Sequence, residues 1–280
     1  ALDLPRRVLD APKHAYEVRD KLWAMREARQ PIGHDIEGGC DVGVTVCSFA
    51  SSPTHALCIP FRRMDWSQVW SDEDERFIRD SIRILLEDER VPKVAHNAAF
   101  ECFAWRWLHG IQIQNVHDSM IAFHTLWPEL DKGLDVCASI LTRGCYWGTP
   151  KDWKTDEDRD VYNGIDSCVC LEVFQAIQRE WTPAQAAFYE HSRALLEPCG
   201  EMAFSGMAYD AELRDDMVWR IQKEIYAAQG VLDQLAGIAP PTFDEVAEAV
   251  AMKVKLKHIV DWGDILAHAK PSFREPARIV

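Results

Sequence analysis

Apolar and polar positions alternate along the chain with two different periods, and the switches between them predict the elements. Residues 13–29 (KHAYEVRDKLWAMREAR) follow the helical period. Three strand-like runs come next, at 31–36, 42–49 and 55–61, and the short breaks between them predict an antiparallel meander. Residues 73–90 read as a charged amphipathic helix with apolar positions at Phe77, Ile78, Ile82, Leu85 and Leu86. KVAHN, at 93–97, is a short strand, and AAFECFAWRWLHG is a helix closed by Gly110. A further strand is expected over 112–117, then helices over about 118–126 and 133–142. The stretch TRGCYWGTPKDWKT, 142–155, carries glycines, aromatics and one proline, as a flap-like loop would.

Beyond that loop the strand period disappears. Helices are expected from Asp156 to Trp181, over 184–204 and from Ala211 to about Leu235, with IAPPTF at 238–243 as a break. The tail, 251–280, carries Lys253, Lys255, Lys257, Lys270, Arg274 and Arg278 and is mildly basic. Residues 1–181 therefore form one expected domain of mixed strands and helices, and residues 182–280 a helical region.

Composition narrows the function classes. A hydrophobic content of 48% over 280 residues supports a buried core, and a net charge of -14 argues against a surface coated in positive charge for duplex nucleic acid. It leaves room for an acidic site that reaches phosphates through metal ions. The nine cysteines include no CxxC pair and lie in apolar segments, as buried reduced thiols do. No secretory signal opens the chain and no apolar run reaches the length of a membrane span, so a soluble, cytoplasmic protein is expected.

Three clusters carry candidate chemistry. In PIGHDIEGG, Asp35 and Glu37 are two apart on a predicted strand, so their side chains share a face and repel each other unless a proton, a base or a cation lies between them. Magnesium takes such oxygen ligands; a solvated strand end would show the same pattern. In VAHNAAFECFAW, Asn97 is placed to cap a helix whose first turn holds Phe100 and Glu101; an acid there is also favoured by the helix dipole alone. In VYNGIDSCVCLEVF, Tyr162 and Asp166 are four apart on a helix and share a face, beside a stripe of Val161, Ile165, Val169 and Val173 expected to pack on the sheet.

Taken together, DxE on a strand, NxxFE about 60 residues later and YxxxD about 60 beyond resemble the tyrosine-bearing branch of the DEDD 3′→5′ exonuclease superfamily. The surrounding text is closest to the proofreading domain of family A, polymerase I-like DNA polymerases, especially phage ones. The likeness covers about 30–181 and continues into 186–215, which looks like the lead-in to the polymerase domain. It implies a ribonuclease-H-like α/β fold, a mixed sheet of about five strands flanked by helices. It also implies two divalent ions, Mg2+ or Mn2+, held by Asp35, Glu37, Glu101 and Asp166. Tyr162 would orient the attacking water, and Asn97 and Phe100 would meet the terminal nucleotide. Trp147 or Trp153 would be further candidates to stack on bases, and Asp118 would be supportive.

The implied reaction is hydrolysis of the terminal phosphodiester of DNA with release of nucleoside 5′-monophosphates. Trimming of RNA in the manner of ribonuclease D and a catalytically weakened binding module are the alternatives. The family's second motif normally ends in Asp. Glu101 adds a methylene that shifts its carboxylate by about 1.5 Å, and a misplacement of about 1 Å costs of order a hundredfold. No DYSxIE-like stretch, RxxxKxxxxGxxYG or late HDE is present, so no polymerase site is expected on this chain. A polymerase portion, on a longer chain or as a separate subunit, is the expected partner alongside a frayed or single-stranded 3′ end; a bacterial or phage-infected cell is the implied setting.

Overall fold

The computed structural model describes residues 7–39, 42–142, 147, 153–206, 208 and 210–237. The chain divides into two units, Ala1–Gly206 and Met207–Val280. In the second, the described chain forms one long helix, α9 (Ala211–Ala236). The break at 238–243 and the basic tail lie outside the described residues.

In the first unit the expected meander forms. β2 (Ile32–Gly39), β3 (Gly43–Ser52) and β4 (His55–Pro60) are antiparallel neighbours. Both faces of β3 are covered, so Val44 to Ala50 form one buried run and not an alternating one. On the other side of β2, β5 (Lys93–Ala95) and β6 (Val116–Asp118) are added in parallel. The sheet has six strands where about five were expected. The extra one is the three-residue β1 (Val8–Asp10), parallel to β4 at the edge, too short to show a period. β6 is shorter than the expected 112–117, because Asn115 turns to a positive φ of 51° and ends any extended run before it.

Helices cover both faces. α1 (Ala15–Ala28), α2 (Asp72–Leu86) and α3 (Ala98–His109) form one core with Ile32, Ile36 and Phe49. On the opposite face α6 (Asp156–Glu180) lies across β2, β3 and β4 and is backed by α4 (Ser119–Leu126), α5 (Leu134–Leu141) and α7 (Pro183–Arg193). The helix ends obey local signals. Ser71 caps α2 through the Asp74 N–H, and Thr155 with Asp158, and Thr182 with Gln185, form reciprocal capping boxes for α6 and α7. The helical region expected over 184–204 is two helices. Pro198, in the first turn of α8 (Leu196–Ser205), has no N–H for a continuous ladder and forces a restart.

α6 departs from its expected packing. Val161 is 38% exposed, and Val169 and Val173 join a core that α6 forms with α4, α5 and the sheet residues Ala50, Ala56 and Val94. The close contacts with the sheet are made by Asn163, Gly164, Ser167 and Cys170. Of the described cysteines, Cys47, Cys58, Cys137, Cys168 and Cys170 are buried, and the described cysteines are free thiols. Among the described residues no helix is long and apolar enough to cross a membrane.

Candidate active site

The strand alternation places Gly33, Asp35 and Glu37 on the face covered by α6, and Ile32, His34 and Ile36 on the face of α1 to α3. Gly33 lets α6 come close: a Cβ there would lie 1.9 Å from the Ser167 carbonyl oxygen. That approach brings Asp166, one residue before Ser167, to the acids of β2. Carboxylate oxygens of Asp35, Glu37 and Asp166 lie within 4.8 Å of one another.

Glu101 comes from the first turn of α3. It lies outside that group of three, yet near enough for its charge to act on Asp35. It is 3% exposed, and its Oε2 meets no donor among the described residues. Asn97 and Phe100 are exposed on the same turn. The expected cap by Asn97 is not made: Asn97 sits in the left-handed region at φ 67° and its side chain makes no capping bond. The cap comes from Asp118, whose carboxylate accepts from the backbone N–H of Asn97 at 3.2 Å and Ala98 at 2.9 Å, and also from Met120 and Ile121 at the start of α4. One buried carboxylate thus closes two helix N-termini, where its charge is also favoured by both dipoles.

Two neutral donors serve the acids: Asn163 Nδ2 donates to Asp35 Oδ2 at 2.5 Å and Trp147 Nε1 donates to Asp166 Oδ1 at 2.5 Å, while the Tyr162 hydroxyl lies near enough to Asp166 to favour its charged form. Trp147 is packed against the core around α6, so its indole anchors Asp166. Trp153 meets Tyr162 edge-on at 5.4 Å. Residues 143–146 and 148–152 of the flap-like loop lie outside the described residues. Sequence reasoning missed Asn163; an amide in mid-helix next to Tyr162 was the available signal. No local pattern pointed to the bond from Trp147.

The electrostatics are those of a site short of positive charge. Burial, then the charges of Asp166, Glu101 and Glu37, hold Asp35 well above the usual carboxylate range. Burial and Asp166 push Glu37 up to about 8, against the pull of Arg159. Burial lifts Asp166 to about 7 although the Trp147 bond and the nearby Tyr162 hydroxyl pull it down. Glu101 is raised well above its usual range by burial, with Asp118 and Glu37 adding to it. Burial and the charges of Asp166 and Glu37 keep Tyr162 protonated, so it remains a donor. Arg159 is engaged with Asp160 at 2.8 Å. Like charges packed this way are costly unless a cation or protons join them. The all-oxygen donor set and the unpartnered Glu101 Oε2 fit a hard divalent cation.

No protein-family model matches the chain, and no curated protein sequence matches it. Solved structures do. The POL domain of Pol1 from M. smegmatis, in complex with DNA primer-template and dNTP, is similar with a TM-score of 0.57 at 16% identity, over 83% of this chain and 38% of that one. The apo form of a nuclease is similar with a TM-score of 0.51 at 14% identity, over 74% of this chain and 96% of that one. The chain thus spans well under half the length of the Pol1 chain. At these identities the likeness speaks for the fold, and the fold is ribonuclease-H-like: a mixed six-stranded sheet flanked by helices, followed by a helical C-terminal region.

Proposed function

We propose that the chain is a metal-dependent 3′→5′ exonuclease that hydrolyses the terminal phosphodiester of DNA and releases nucleoside 5′-monophosphates. The observation that carries this reading is the convergence of Asp35 and Glu37 of β2 with Asp166 of α6 within 4.8 Å, with Glu101 beside them. A similar fold in a Pol1 chain that holds a DNA primer-template supports it.

Asp35, Glu37 and Asp166 would hold Mg2+ or Mn2+, with Glu101 completing the set. Bound there, such ions supply Lewis acidity to activate water and to stabilise the leaving 3′ oxygen. The chain's own part is positioning. Tyr162, kept protonated, offers its hydroxyl to the water or to a phosphate oxygen. Asn97 and Phe100, exposed at the start of α3, offer an amide and a stacking surface to the terminal nucleotide. A proofreading role, with a polymerase portion as partner, follows from the resemblance of 186–215 to a polymerase lead-in.

The test is digestion of 5′-labelled single-stranded DNA, and of RNA of the same sequence, with Mg2+ or Mn2+, beside an Asp35→Ala control. The expected result is a DNA ladder shortening from the 3′ end, lost in EDTA and in the control. Shortening of RNA alone would move the assignment to an RNA-trimming enzyme. No shortening of either, or equal shortening by the control, would overturn it.

A further inference from the structure

We propose that Asn163 is a positioning residue of this site, an amide that occupies one oxygen of Asp35 and leaves the other aimed at a divalent cation. The inference rests on the metal-site reading above, although not on which nucleic acid is cut.

Asn163 is fully buried on the sheet-facing side of α6. Its Nδ2 donates to Asp35 Oδ2 at 2.5 Å, while its own Oδ1 is buried without a donor among the described residues. An apolar residue would fill that place without leaving an amide oxygen unsatisfied. The bond to Asp35 is what the amide provides in return. The residue is also held at its backbone. Ser48 Oγ donates to the Asn163 carbonyl at 2.8 Å, His34 Nδ1 donates to the Ser48 carbonyl at 2.9 Å, and Trp105 Nε1 donates to His34 Nε2 at 2.8 Å. His34 is further clamped by stacking on Phe49 at 4.6 Å. This buried line of bonds joins α3, β2, β3 and α6, and so ties the segments bearing Glu101, Asp35 and Asp166 into one frame. Without its donor, Asp35 would sit among three like charges with nothing to set the rotation of its carboxylate.

The experiment compares the full chain with Asn163→Leu, which keeps the volume and removes the donor, and Asn163→Asp, which keeps the shape and reverses the electrostatics. Mn2+ affinity is measured by calorimetry, folding by circular dichroism, and DNA cleavage as a function of Mn2+ concentration. Loss of an outer partner of a metal ligand typically costs ten- to a hundredfold in affinity or rate. Both variants are expected to fold, to bind Mn2+ about ten- to a hundredfold more weakly, and to regain turnover at high Mn2+ with KM for DNA unchanged. Variants that bind Mn2+ within about twofold of the native chain would overturn the proposal, and so would failure of both to fold, which would make Asn163 a packing residue. A native chain that binds Mn2+ and cuts nothing would sink the exonuclease reading alone. One that binds no more Mn2+ than Asp35→Ala would sink both.

Discussion

Gly33→Ala puts the coupling between fold and site to a direct test. The added Cβ would fall 1.9 Å from the Ser167 carbonyl oxygen and 3.2 Å from Ala50 Cβ. The oxygen belongs to the backbone of α6 and cannot turn aside, so helix and strand must part by about 1 Å before the contact is tolerable. That motion carries Asp166 away from Asp35 and Glu37. Overpacking of this kind costs about 1–3 kcal/mol, and a displacement of about 1 Å in a reacting constellation costs on the order of a hundredfold in rate. Gly164→Ala is the matched comparison. Its Cβ meets Cys58 Sγ at 2.5 Å and Leu9 Cδ2 at 2.8 Å, both side-chain ends that can move, and it gains helix propensity. Urea unfolding and Mn2+ calorimetry on both variants read the two effects separately. Gly33→Ala should lose stability and most of its Mn2+ affinity, whereas Gly164→Ala should keep its affinity within a few-fold. Native affinity and stability in Gly33→Ala would refute the account of how the acids are brought together.

Asp118→Ala should destabilise the chain by about 2–4 kcal/mol in urea unfolding, because it strips caps worth about 1 kcal/mol each from two helices and leaves four backbone N–H groups without their acceptor. A loss below about 1 kcal/mol would contradict the double cap. His34, 1% exposed, is held down to about 4 by burial and stays neutral when folded. The unfolded chain takes up a proton near pH 6.5, so the His34 contribution is intact above that pH and is lost as pH falls towards 4, by about 3 kcal/mol at most. His109 and His117, also lowered to about 4, add to the same window. Asp166 and Glu37, raised by burial, act in the opposite sense. The measurement is therefore the difference between the native chain and His34→Phe from pH 7 to 4.5, where the variant should fall less steeply; parallel curves would refute the role.

What depends on backbone period and on neighbours within one turn was legible in the chain. Alternation along β2 put Asp35 and Glu37 on a common face, and the helical period put Tyr162 beside Asp166. The meander, the Gly110 stop and the shared ribonuclease-H-like pattern were also legible, since each is written within a few residues or in the order of three motifs. Which distant segments meet was settled by packing. α6 turns small and polar residues, Asn163, Gly164, Ser167 and Cys170, to the sheet next to the site, so no apolar stripe announced that contact. The true cap of α3 is Asp118, 20 residues beyond Ala98 in the chain and adjacent only because β5 and β6 pair in parallel. The same holds for the donors Trp147 and Asn163, whose partners are 19 and 128 residues away. Local geometry chose the faces. Only packing chose the partners, because close approach at one glycine and hydrogen bonds across the sheet are properties of the assembled core.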